Sequence, residues 1–195
     1  MALNFRVFRS PTIIRFMEKY FSYADRLVYL GAPILADVDR VVTSANMKVG
    51  AYTIAAQPDI ARNITVSHTQ VGGVTDTLGT IDVVGTNILG ETITETITPL
   101  DGTIAVGTKA FLTIVSVTGV GWVIDTTADT ITVGVGDLLG LPFEILAATN
   151  VMYGVLGTAL VAPASITVGD IEVCVLSLAA GTYDGSKKAY VHIVN

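Results

Sequence analysis

The sequence predicts an all-β protein: an antiparallel β-sandwich or barrel-like body preceded by an N-terminal arm. Three observations carry this. The 195-residue chain holds 25 threonines, and from Ala51 on it is dominated by Thr, Val, Ile and Gly. Thr, Val and Ile are β-branched and suit pleated strands better than helices. Short alternating runs are separated by turn signals at close intervals, the punctuation of a sandwich or barrel. The first fifty residues differ from the rest in both aromatic content and charge sign.

That first stretch, residues 1–50, reads as the arm. It holds seven of the thirteen Phe and Tyr residues. Between Thr12 and Leu30 the apolar residues Ile13, Phe16, Met17, Tyr20, Ala24, Leu27 and Val28 recur mostly at spacings of three and four. This period predicts an amphipathic helix over residues 12–30. Ser10 and Pro11 would start it, and Gly31 with Pro33 would end it. An extended arm that orders only on a partner is the competing reading.

Residues 51–195 read as the body. Predicted strands are Asn63–Ser67, Thr80–Val84, Glu91–Thr98, Ala110–Thr118, Thr130–Val133, Ile171–Leu178 and Ala189–Val194. In Glu91–Thr98 four threonines share one face while Glu91, Ile93, Glu95 and Ile97 share the other. That places it near an edge or interface. Turns are predicted at Gly72-Gly73, Thr86-Asn87 with Gly90, Gly119–Gly121, Gly134–Gly136 and Asp184-Gly185. Asp101-Gly102 predicts a tight hairpin between the strand ending at Thr98 and the one entering Ile104. Leu138–Pro142 reads as a connector. No repeat of fixed period runs through the body.

Composition narrows the function. The chain is 51% hydrophobic and only 14% charged, so part of its surface is expected to be covered by copies of itself or by a partner. Residues 1–48 carry seven bases against four acids, a net +3, while residues 49–195 carry four against thirteen, a net −9. Phosphate would be repelled by such a body, so nucleic acid is not an expected partner. Neither an 18-residue apolar run nor a signal-peptide pattern is present, so no membrane span and synthesis in a reducing cytoplasm are expected. Cys174, the single cysteine, reads as a small apolar residue in a strand.

Little chemistry is legible. His68 and His192 are the two histidines, and no G-x-S-x-G elbow accompanies them. Asp37 with Asp39, and Asp125 with Asp129, are pairs of oxygen ligands without the Gly-turned acidic loop that calcium sites use. They read as solvated turn residues. One Cys and two His leave zinc no ligand set. Gly134–Gly140 has its third glycine one place late for a dinucleotide loop. No cofactor, metal or catalytic residue is therefore expected.

Several stretches are familiar together: Ala56–Val66; Gly79–Gly90 running into Glu91–Thr98; Gly107–Phe111 leading to Ile114–Val117; Val135–Pro142; and Gly181–Lys187 before an aromatic–aliphatic closing strand. In this order they resemble tailed-bacteriophage virion structural proteins of the capsid decoration, or cement, type. The resemblance covers roughly residues 50–195. It implies a β-sandwich-like body without enzymatic activity, made in the host bacterial cytoplasm and carried on the outside of the capsid. The implied partners are the major capsid protein and further copies of the chain, a trimer being one arrangement. The arm would then be a clamp, with Phe5, Arg6, Phe8, Arg9, Arg15, Phe16 and Tyr20 as interface anchors, since Phe, Tyr and Arg serve well in that role. The alternative is a β-sandwich binding module for a host surface or glycan on a head, neck or tail. Trp122, the lone tryptophan, reads as a core residue rather than a sugar platform.

Overall fold

A computed structural model describes residues 25–72, 76–125, 127–178 and 183–194. Among them the protein is all-β, with three antiparallel sheets. The end sheet has the order β1-β14-β10-β11, from β1 (Asp25–Gly31), β14 (Ala189–Val194), β10 (Val151–Leu156) and β11 (Ala159–Val161). In the central sheet β12 (Ser165–Thr167), β13 (Val175–Ser177), β9 (Thr130–Gly140), β4 (Arg62–Thr69) and β7 (Ile104–Phe111) follow one another, and β2 (Asp37–Asn46) also pairs with β9. The cover sheet runs β3 (Gly50–Ala51), β8 (Thr113–Val120), β5 (Thr80–Thr86) and β6 (Thr92–Ile97).

Two cores result. Central and cover sheets face each other across Val41, Ile64, Val66, Ile81, Val83, Ile93, Val117, Ile131 and Val133, with Trp122 and Phe111 also buried there. Central and end sheets enclose Leu30, Leu139, Leu156, Cys174, Leu176, Leu178, Val191 and Ile193. Strand β9 serves both: Ile131, Val133 and Val135 enter the first core, Leu139 the second. This is sandwich packing of alternating inward residues.

Part of the stretch that the sequence assigns to the arm belongs to the sheets. Residues 25–31 form β1 on β14, and residues 37–46 form β2 on β9, so the body takes in residues that precede 51. The predicted helix over 12–30 gives way to strand from Asp25 on; its first part lies outside the described residues. Strand β1 alternates, with Leu27 and Tyr29 outward and Leu30 in the second core. A sheet edge offering β14 as partner decides a short segment whose pattern fits either period.

Other boundaries move for identifiable reasons. The predicted strand Ala110–Thr118 is two strands broken at Leu112, where the chain passes from central to cover sheet and the Leu112 N–H donates to Thr86 O at 2.7 Å. Gly134–Gly136 is not a turn, and Leu138–Gly140 is not a connector: both belong to β9. Glycine at 134 answers to β2, which crosses so closely that a Cβ there would lie 2.0 Å from Asp37 O. Glycine inside a strand marks such an approach. Ile171–Val173 form a turn, leaving only Val175–Ser177 as strand. Asp101-Gly102 does form a tight turn, closed by a bridge between Leu100 and Thr103. Yet β6 pairs with β5 and β7 with β4, so the turn carries the chain from one sheet to the other.

Strand β6 is an edge strand, with Ile93 and Ile97 buried and its threonines exposed. Glu95 interrupts the inward row because its carboxylate accepts the Thr108 N–H of β7 at 2.6 Å and the Thr108 hydroxyl at 3.0 Å. It bridges the open side between two sheet edges.

Between the two cores lies Arg62, whose side chain is fully buried. Its Nε donates to Gly136 O at 2.7 Å and its Nη1 to Ile34 O at 2.8 Å. Asp59 Oδ1 stands 3.3 Å from Nη1, and Asp137 Oδ1 stands 3.7 Å from Nη2. The guanidinium also sits 5.8 Å from the Tyr183 ring centre. Removing one member of a buried pair strands the other, at about 3–5 kcal/mol. Arg62→Ala is expected to lose about that much stability in denaturant unfolding. Arg62→Lys, which keeps the charge but not the planar fork, should recover only part of it. An alanine variant within about 1 kcal/mol of the parent would remove Arg62 from its structural role.

Candidate functional site

Three features stand out: an apolar sheet face, a groove, and a buried histidine between carboxylates. The face is the outer side of the end sheet. Register places Leu27 opposite His192, and His192 opposite Tyr153. The next row runs Tyr29, Tyr190, Val155 and Leu160. Leu27, Tyr29 and Leu160 are 61%, 55% and 74% exposed. Tyr29 and Tyr190 rings lie 5.1 Å apart, and Tyr153 stacks on His192 at 4.7 Å. Cross-strand aromatic pairs of this kind stabilise the sheet, and they make the face a largely apolar, aromatic surface. Its signal is present in the sequence: Leu27–Leu30 and Tyr190–Val194 are apolar on both sides of the strand.

The groove crosses the outer side of the central sheet. It encloses about 460 Å³ and is bounded by Val38, Ile104, Val106, Leu138 and Ala164, with Asn63, Thr65 and Asp137 among its lining. Asn63 is satisfied, its amide donating to Gly107 O at 3.2 Å and its Oδ1 accepting the Leu138 N–H at 3.0 Å. Thr65 Oγ1 and Asp137 Oδ1 are buried without a hydrogen-bond partner.

His68 is buried near the end of β4. Its Nδ1 lies 3.1 Å from Asp101 Oδ1 and its Nε2 2.9 Å from Asp129 Oδ2. A neutral imidazole can donate to one of these carboxylates, an imidazolium to both. Asp129 also accepts the N–H groups of Val71 at 2.6 Å and Asp76 at 2.9 Å. Asp76 in turn accepts from Asp125 and Asp129 N–H groups, each at 2.8 Å. The cluster is a clip that fastens Val71, Asp76 and Asp125 to β4 through Asp129 and His68. Asp129 is therefore no solvated turn residue, contrary to the sequence reading. Burial pushes its carboxyl up most strongly, but the N–H donors and His68 together leave it below the ordinary value. Asp37 and Asp39 stay at the surface, where Asp39 N–H reaches Asp37 Oδ1 at 3.4 Å. Among the described residues no group of three or more His, Cys, Asp or Glu could hold a metal ion, and no helix is long and apolar enough to cross a membrane.

The predicted interface residues Phe5, Arg6, Phe8, Arg9, Arg15, Phe16 and Tyr20 lie outside the described residues. Trp122 is buried in the first core and Cys174 in the second. Fold and surfaces together define an antiparallel β-sandwich protein with an apolar, aromatic sheet face. No protein-family model, curated protein or solved structure matches the chain.

The clip sets an acid limit. Asp129's folded value is depressed, so its contribution is complete above the unfolded carboxyl value of 3.8 and is lost as pH falls through the lower folded value. Urea midpoints measured from pH 7 to 2.5 should fall at the acid end. Asp129→Asn should cost about 2 kcal/mol at pH 7 and flatten part of that acid fall. An unchanged acid slope in the variant would assign it to other carboxyls.

Proposed function

We propose that this protein is a non-enzymatic structural component of a tailed-phage particle, binding the outside of the major capsid protein shell as a decoration or cement protein. The observation that carries the reading is the outer face of the end sheet. Leu27, Tyr29, Tyr153 and Leu160 form an exposed apolar surface of the kind that marks a protein contact. Residues 1–24 join the body at the first residue of β1, an edge strand of that same sheet. Arm and face therefore start from one place, and Phe5, Arg6, Phe8, Arg9, Arg15, Phe16 and Tyr20 would extend the contact as a clamp. A rigid body laid across a seam buries apolar area at roughly 25 cal/mol per Å² on several subunits at once, partly offset by association costs. Homo-oligomers on the shell, trimers among them, fit such a placement.

The three tyrosines of the face also favour a second reading, in which it stacks on sugar rings of a host surface.

The test mixes the purified chain with phage capsid shells that lack it, pellets the particles and counts bound copies. Saturation at a multiple set by icosahedral symmetry is expected. Tyr29→Asp with Leu160→Asp should weaken binding at least about tenfold, that is about 1.4 kcal/mol. Deleting residues 1–24, which stops short of β1, should abolish it. Full binding by both variants would sink the cement reading, and glycan binding lost in the Tyr29 variant would favour the second.

A further inference from the structure

The longest uncharged run of the chain, Ile145–Gly169, holds no Asp, Glu, Lys, Arg or His in 25 residues. It forms β10, β11 and β12, and within it Leu146, Met152 and Leu160 are 85%, 58% and 74% exposed. Charge is missing here from a body that is otherwise acidic, with seven bases against sixteen acids over residues 25–195. Strand β11 is the outermost strand of the end sheet and pairs only with β10. The free side of such a strand offers backbone N–H and C=O groups to any strand laid beside it, and proteins usually blunt it with charge, proline, a bulge or a cover. Other edges of this molecule are blunted. Beside β8 the Gln57 side-chain amide takes the Ile114 N–H at 2.6 Å and its C=O at 3.0 Å. Glu95 takes the Thr108 N–H of β7, and β1, at the opposite edge of the end sheet, carries Asp25 and Arg26. Along β11, by contrast, Thr158, Ala159, Leu160 and Ala162 are exposed and uncharged, and Pro163 comes only after the strand has ended.

Charge selects the strand that fits. A charged strand laid against this run would leave its charges desolvated without partners, so the occupant is neutral along its edge. Two acidic bodies repel each other, and they meet at least cost where neither carries charge. The same edge on a second copy satisfies both conditions, and most homo-oligomer contacts are two-fold and self-complementary. We propose that β11 pairs antiparallel with β11 of a second copy about a two-fold axis at Leu160, joining two end sheets into one. A slip of one residue would set outward residues opposite inward ones, so register changes only in steps of two. Leu160 opposite its own copy is the register in which the three residues of β11 overlap in full. The row Tyr29, Tyr190, Val155 and Leu160 then continues across the axis into the same row of the other copy, and the outer face of the sheet stays uncovered. This goes beyond the capsid reading and does not depend on it.

Sedimentation of the full chain over a range of concentrations tests it, without shells present. The parent should form a concentration-dependent dimer. In the proposed register Thr158 of one copy faces Ala162 of the other, and both positions are exposed. Thr158→Lys with Ala162→Lys therefore sets like charges opposite each other twice across the axis, and should raise the dimer dissociation constant at least about tenfold. Thr158→Lys with Ala162→Glu sets opposite charges at the same two places and should bring the constant back to the parent's value. That second variant also controls for folding, since it alters the same two positions. A parent that stays monomeric at every concentration would overturn the proposal, as would association that the two double variants weaken equally or leave alike. Each result is read without shells, so the shell-binding test stands or fails separately.

Discussion

Strand β4 opens with a guanidinium sealed from solvent at the junction of two hydrophobic cores. A buried charge is tolerated only when its donors are matched and counter-charge is near. Pieces of chain far apart in sequence converge to meet most of that condition: the loop at Ile34, the turn at Asp59, the β9 segment Gly136–Asp137 and the Tyr183 ring, with Nη2 left to the Asp137 charge at 3.7 Å and no hydrogen bond. Asp59 is itself tied back, since its Oδ2 accepts the Ile34 N–H at 2.8 Å. Pairing between β4 and β9 shifts register here, from Arg62 opposite Leu139 to Ile64 opposite Val135. The extra β9 residues in that shift present the Gly136 carbonyl and Asp137 to the arginine. The bulge and the buried charge are two parts of one arrangement.

The same arrangement shapes the outer surface. Asp137 lines the groove, while its buried Oδ1 is turned to Arg62 at 3.7 Å from Nη2, too far for a hydrogen bond. Close crossing of β2 over Gly134 places Val38 at the groove's rim. The groove is thus a by-product of how the two cores are joined, and its single carboxylate belongs to the joint. The apolar face of the end sheet has a different origin. It exists because β1 and β14 carry apolar residues on both sides, although only one side has a core to fill.

Polar residues elsewhere replace backbone pairing that the sheets do not supply. Glu95 accepts N–H groups from β7 where no strand pairs with that edge. Asp129 and Asp76 satisfy the N–H groups of two irregular loops and hold them to β4 through His68. A body with few charges spends several of them on internal closure. That leaves a surface short of charge.

The sequence by itself determined the all-β class, because the density of Thr, Val and Ile and the spacing of turns are local properties that no tertiary contact reverses. It also placed the last strand correctly at Ala189–Val194 and put Glu91–Thr98 near an edge or interface from its threonine face, where the structure has the edge strand β6. Tertiary structure alone decided what Asp25–Gly31 becomes, since a run apolar at mixed spacing takes the period of whatever partner is beside it, and β14 is a strand. It alone decided that Gly134 and Gly136 continue β9, because their role is clearance for β2 and Asn63, from distant parts of the chain. The arrangements around Arg62 and His68 were hidden for the same reason: their partners lie up to 74 and 61 residues away. Hydrogen bonds of that range leave no periodic trace in a sequence, and only the folded chain brings their two ends together.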